Sequence, residues 1–270
     1  VPITTITQEI AKITYVYHAD GAIEPYLNLY PGIALDEYTH VTKLSVLALS
    51  EDSDFDIAAG DTVTFSVSRD NELLATVVNK SKSDNKRINL KLDTCPVCGS
   101  KLVHFTDGDL GCCINRSCNA QLYNNLITFL AALGISLTGT NGRIISSLVC
   151  RGKLASLVDV FLLNYTDIVD GYVTAQDARI FIQYIHSIRG HIAIDQLLKS
   201  LAIPGFDRNT VEAIRDLFII NKFTLLDVSK LFDKEFRLRY KGINWTSWER
   251  FISLESNRDL ILKLSTILYI

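Results

Sequence analysis

Five of the six cysteines, Cys95, Cys98, Cys112, Cys113 and Cys118, fall between residues 95 and 118, and only Cys150 lies elsewhere. Cys95-Pro-Val-Cys98 is a pair separated by two residues, and Cys113-Ile-Asn-Arg-Ser-Cys118 supplies a second pair after 14 intervening positions. Two short loops of this kind can aim four thiolates at one Zn²⁺, because each loop needs only a tight turn to bring both sulfurs inward. Gly99, directly after the second cysteine, permits that turn. A site closed by four thiolates keeps no position for water or substrate, so the zinc it implies is structural. Buried free thiols and a redox disulfide are the competing readings, and two correctly spaced pairs argue against both. Cys112 stands beside Cys113 and leaves five residues before Cys118 instead of four, so either could be the third ligand.

The elements that must position these ligands fall into three blocks. Residues 1–92 are rich in Thr, Val, Tyr and Ile in short runs, with clear strand candidates at 43–49, 62–68 and 73–79. Gly60 and Asp61 form a turn ahead of the second of these, and Ser-Arg-Asp-Asn turns between the second and third. That pattern predicts a small barrel or sandwich. Residues 93–121 are the cysteine block. From residue 122 to 270 apolar residues recur at three- and four-residue spacing, which predicts an all-α segment.

The helical block repeats. LTGTNGRIISSLV, VDGYVTAQDARIF, IPGFDRNTVEAI and YKGINWTSWERFI share a glycine turn followed by a helix, anchored at Gly139, Gly171, Gly205 and Gly242. The anchors lie 32, 34 and 37 residues apart, room for two helices per unit. The segments resemble the helix-hairpin-helix motif, which presents backbone N–H groups at a helix N-terminus to a DNA phosphate. Where that motif carries a second glycine, this chain has Asn141, Val173, Asp207 and Asn244. Asn and Asp tolerate the left-handed backbone, whereas Val173 does not, so the Gly171 turn is expected to be structural only. Asp207 would repel a phosphate. The expected DNA contacts are therefore Gly139, Asn141, Gly142 and Arg143 in the first turn, Gly205 in the third, and Lys241, Gly242 and Asn244 in the fourth. A basic stretch, Lys80, Lys82, Lys86, Arg87 and Lys91, is either a solvated loop or a further set of phosphate ligands.

A strand-rich domain, a four-cysteine knuckle and tandem hairpins, in that order, resemble the C-terminal half of NAD-dependent DNA ligases. DIAAGDTV is similar to the turn and strand entry of that family's OB domain, CPVCGSKL and CINRSCNAQL to its zinc-knuckle halves, and LTGTNGRIISSLV to its first hairpin. The resemblance implies a multidomain β + α chain: an OB-type β-barrel at 1–92, a four-cysteine zinc knuckle at 93–121 and an all-α helix-hairpin-helix domain at 122–270. It also implies a role: clamping nicked duplex DNA for an adenylation domain that supplies the chemistry with NAD and Mg²⁺. The K-x-D-G lysine of that chemistry is absent. The chain is therefore expected to be inactive alone, as a fragment or as the non-adenylating subunit of a split, phage-type ligase. Two OB signatures are replaced: Gln8 is followed by Glu-Ile-Ala-Lys-Ile, and Leu47-Ala48 stand where the family has His-Asn.

Composition sets outer bounds. With 48% hydrophobic and 21% charged residues the 270-residue chain can bury a core, and its net charge of −3 argues against bulk electrostatic gripping of nucleic acid. Any phosphate contact must be local. The opening VPITTITQEI lacks a signal peptide's pattern and no apolar run reaches bilayer length, so an intracellular protein without a membrane partner is expected. A stand-alone DNA-binding or scaffold module, related to the ligase but joining nothing, is the second hypothesis.

Overall fold

The structure is a computed structural model that describes residues 4–18, 21–34, 40–49, 55–67, 73–81, 85, 87–105, 110–169 and 173–270. The chain forms two compact units. The first comprises Val1–His18, Ala22–Cys95 and Thr106–Gly111, and the second Ala19–Gly21, Pro96–Phe105 and Cys112–Ile270. Most of the cysteine block thus groups with the helices.

The first unit is built on strands β1 (Thr4–Tyr17), β2 (Ile23–Ala34), β3 (His40–Ser45), β4 (Asp56–Ile57), β5 (Thr62–Val67), β6 (Leu73–Asn79) and β7 (Ile88–Asn89). Five of them form one antiparallel sheet in the order β3-β2-β1-β5-β6, and β4 pairs with β7. Three consecutive strands with β5 returning beside β1 make the order β5-β1-β2-β3, a Greek key. Among the described residues no ladder joins β3 to β6, so the sheet is not closed. The long β1 changes partner midway: Thr4–Glu9 pairs with β5, and Glu9–Tyr17 pairs with β2. A register shift between Ile10 and Lys12 marks the change, and others interrupt β2–β3 and β5–β6. Each added residue bends its strand and strengthens the local twist. The shift in β2–β3 spans Pro31, which has no N–H to give a ladder.

Alternation places the core. In β5 Val63 and Phe65 are fully buried while Thr62 and Thr64 stay partly exposed. They pack with Ile10, Leu27, Leu29, Ile33, Leu44 and Ile57, and burying a side chain of this size contributes about 2 kcal/mol. The strand expected at 43–49 is shorter than its composition suggests. β3 stops at Ser45, whose Oγ accepts the Leu47 N–H at 3.1 Å, and residues 46–48 form a 3₁₀ turn. The reason is packing: three residues per turn put Val46 and Leu49 on one side, both buried, and leave Leu47 exposed.

The second unit contains α1 (Leu122–Ala132), α2 (Thr140–Cys150), α3 (Tyr165–Ile168), α4 (Ala175–Ser187), α5 (Ile194–Ser200), α6 (Arg208–Ile220), α7 (Lys234–Leu238), α8 (Thr246–Ile252) and α9 (Glu255–Tyr269). Four helix pairs flank the four sequence glycines, α1–α2, α3–α4, α5–α6 and α7–α8, and α9 follows the last. In α6 Val211, Ile214, Leu217 and Phe218 are buried, the spacing of one helical face. One core runs through the unit, with Phe129 edge-on to Phe161 and Trp248 stacked on Phe232 and Phe251. Among the described residues no helix is long and apolar enough to cross a membrane.

Candidate functional site

The sulfurs of Cys95, Cys98, Cys113 and Cys118 all lie within 4.8 Å of one another. Cys95, Cys113 and Cys118 are buried and Cys98 is partly exposed. Cys98 Sγ and Cys113 Sγ are 3.7 Å apart, far beyond the roughly 2.05 Å of a disulfide. Zn–S bonds of about 2.3 Å in a tetrahedron place sulfurs roughly 3.8 Å apart. The donor set therefore fits a single metal ion held by four sulfurs, with no carboxylate or imidazole in the group.

The ambiguity between Cys112 and Cys113 has a backbone answer. Cys112 exchanges both hydrogen bonds with Val103, its N–H at 2.9 Å and its C=O at 3.0 Å, in an isolated bridge. Neighbouring residues of an extended segment point to opposite sides, so Cys113 turns to the other three sulfurs and Cys112 does not join them. Cys113 is fixed in turn: its N–H donates to Gly21 O at 2.8 Å, and its C=O accepts from the buried Gln121 Nε2 at 3.1 Å. Gly21 has φ +93°, and a Cβ there would lie 2.6 Å from Cys113 O, so this close approach requires glycine. Tyr17 OH lies 3.7 Å from Cys95 Sγ, where a hydroxyl can donate to a sulfur, and Cys98 Sγ lies 3.4 Å from Ser100 Oγ.

The hairpin residues differ from one another. In the first turn Gly139 has φ +64° and precedes α2, whose N-terminus has neither a side-chain cap nor an acid in its first turn. Asn141 Nδ2 closes the turn on Ser136 O at 2.8 Å. Gly142 sits so tightly that a Cβ would lie 2.3 Å from Leu137 O. Arg143 is exposed and has no acidic partner among the described residues. The third turn is otherwise arranged. Gly205 has φ +77°, and the space a side chain would take holds Ser247 Oγ, which donates to Gly205 O at 3.1 Å. Asp207 caps α6 by accepting the Thr210 N–H at 2.7 Å. The bonds from Thr210 hold its carboxyl below the ordinary value, so a negative charge already occupies that helix end. In the fourth turn Lys241 and Gly242 are exposed and Asn244 Oδ1 accepts the Thr246 N–H at 3.1 Å. Gly242 is not in the left-handed region and has open space around it, so nothing in the fold demands glycine there. Gly171 lies outside the described residues; Val173 is 5% exposed and belongs to the core.

Two members of the basic stretch, Lys80 and Arg87, meet acids. Arg87, one of the candidate phosphate ligands, donates through Nη1 to Asp61 Oδ2 at 3.1 Å and through Nη2 to Asp61 Oδ1 at 3.2 Å. Asp61 is fully buried and also accepts the N–H groups of Ala58 at 3.0 Å and Ser81 at 2.8 Å. Burial alone pushes its carboxyl up, and these bonds together with Arg87 bring it below the ordinary value. Lys80 Nζ lies 3.6 Å from Asp56, and Lys91 Nζ lies 4.8 Å from the centre of the Phe55 ring. Lys82 and Lys86 fall outside the described residues.

Sequence reasoning missed Arg116, inside the second cysteine loop. It is 2% exposed and donates through Nη1 to Asn125 Oδ1 at 2.9 Å and through Nη2 to Ala202 O. A lone arginine between two clustered cysteines reads as solvated, and two of its bonded partners, Ala202 and Asn257, lie far along the chain. No known protein-family description matches this chain.

Proposed function

We propose that the chain is the DNA-gripping half of an NAD-dependent DNA ligase, a subunit or fragment that holds nicked duplex DNA for a partner adenylation domain. The observation that carries this reading is the order of parts along one chain: a Greek-key antiparallel sheet, a convergent four-sulfur cluster, then helix pairs turning at glycines. On this reading the first unit is an OB-type barrel, a five-stranded and partly open Greek-key form. Zinc fills the sulfur cluster in a structural role, and Cys95, Cys98, Cys113 and Cys118 are its ligands. The helix pairs are helix-hairpin-helix units. The first is the best suited to a phosphate, with the uncapped α2 N-terminus beside Arg143, and the fourth adds Lys241. Such contacts hold the sugar-phosphate backbone and carry no sequence information.

The mechanistic contribution is positioning. Ends of a nick must be held in line for the 3′-hydroxyl to attack the adenylated 5′-phosphate, and orientation of this kind lowers a barrier by several kcal/mol. Nucleotidyl transfer belongs to the partner, which brings the K-x-D-G lysine, NAD and Mg²⁺. The protein works inside the cell on this reading. A stand-alone DNA-binding or scaffold module is the second reading, and two observations favour it: Asp207 places a negative charge on the third hairpin, and Arg87 is bound to Asp61.

The test mixes the purified chain with an isolated ligase adenylation protein, NAD, Mg²⁺ and nicked duplex. Sealing is expected to return with the wild type and with Cys112→Ala, and to be lost with Cys113→Ala. DNA binding without restored sealing would favour the stand-alone module. Sealing without the adenylation protein would overturn the assignment of the chemistry to a partner.

A further inference from the structure

The four-residue loop between Cys113 and Cys118 buries two of its side chains and exposes Ser117. Ile114 is 5% exposed and packs in the helical core, and Arg116 is 2% exposed. Two helices and one interhelical turn fasten to it. From α1, Asn125 Oδ1 accepts from Arg116 Nη1 at 2.9 Å, and Asn125 Nδ2 donates to Arg116 O at 3.3 Å. Just after α5, Ala202 O accepts from Arg116 Nη2. From α9, the fully buried Asn257 accepts the Arg116 N–H at 3.0 Å and donates through Nδ2 to Ile114 O at 2.8 Å and to Phe251 O at 2.9 Å. Arg116 and Asn257 are 141 residues apart in sequence. Ser256 Oγ adds a bond to Asn115 Oδ1 at 3.2 Å.

We propose that this loop is a keystone through which metal held by the four cysteines fixes the packing of α1, the α5–α6 turn and α9, with Arg116 and Asn257 as its transmitting pair. The proposal rests on the metal-holding reading of Cys95, Cys98, Cys113 and Cys118. The loop turns at Arg116 and Ser117, with a ligand cysteine at each end. A bound ion pins both ends through the sulfurs, whereas without an ion no bond joins the four sulfurs and both ends of the loop are free to move apart. Arg116, Asn125 and Asn257 are all buried, so each loses its partner without water to replace it. Linkage makes the effect mutual: if metal holds α9 in place, then α9 strengthens metal binding by the same factor. Asn257 is thus a positioning residue for a metal site it does not touch.

The experiment uses the full chain with Zn²⁺ as the metal. Hydrogen exchange is followed with and without a chelator in the wild type, and zinc affinity is measured by chelator competition in Asn257→Leu and in Phe181→Leu, a core control in α4. Chelation is expected to speed exchange at residues 122–130, 201–207 and 255–261 as well as at 95–118, with α4 unchanged. Asn257→Leu should weaken zinc binding about tenfold or more, while Phe181→Leu leaves it as in the wild type. Exchange rising only at 95–118 would overturn the keystone and leave the metal site standing, as would equal zinc affinity in the two variants. A protein that binds no zinc at these cysteines overturns both.

Discussion

Asp61 is the residue whose role changes most between sequence and structure. As a letter after Gly60 it marks a turn, and in the folded chain it is a buried acceptor for two backbone N–H groups and both terminal nitrogens of Arg87. Replacing it by Asn removes the charge opposite Arg87, whose side chain keeps 27% exposure. That exposure sets the expected loss near the lower end of the buried-pair range, about 3 kcal/mol by chemical denaturation. The pH dependence follows from the direction of the shift. A carboxyl held below its ordinary value stabilises the fold fully above the unfolded value of about 3.9, and that stability is lost as pH falls through the lower folded value. Acid titration of the wild type should show this loss and Asp61→Asn should lack it; identical acid profiles would refute the role. The cysteines show the same contrast between letter and fold. Two short spacings announce four sulfurs, but only the bridge between Cys112 and Val103 decides which of two adjacent thiols turns inward.

At the scale of elements, the glycine turns look alike in sequence and differ in the fold. Gly142 sits in the first turn of α2, where a Cβ would lie 2.3 Å from Leu137 O, while Gly242 has nothing within 4 Å and no left-handed backbone. Gly142→Ala should therefore destabilise the α1–α2 pair by about 2 kcal/mol, the cost of forced crowding. Gly242→Ala should be neutral or stabilise by up to about 1 kcal/mol, because it only restricts the unfolded chain. Thermal melting of the two variants checks the contrast, and equal losses would show that the turns are equivalent after all. Helix period and glycine position were legible here because both are local. The end of β3 at Ser45 was not: KLSVLAL has strand composition throughout, and only the core decides that Val46 and Leu49 must face the same way.

For the whole molecule, the proposed DNA-gripping role must rest on a few placed cations, because the net charge is −3. Arg143→Ala and Lys241→Ala should each weaken binding to nicked duplex about equally for all sequences. Each should also reduce the slope of log affinity against log salt by about 1. A salt slope unchanged in both variants would remove these turns from the DNA-binding surface. The amino-acid sequence by itself determined the strand-rich start, the helical remainder, the glycine anchors and a four-sulfur donor set in which only the choice between Cys112 and Cys113 stayed open. Each of these is written in neighbours a few residues apart, where spacing and backbone geometry act directly. Tertiary structure alone decided the Greek-key order of the sheet, the pairing of Arg87 with Asp61 across 26 residues and the burial of Arg116 against Asn257 across 141. A charged side chain takes its partner from whatever the fold brings beside it, and local spacing holds no record of that.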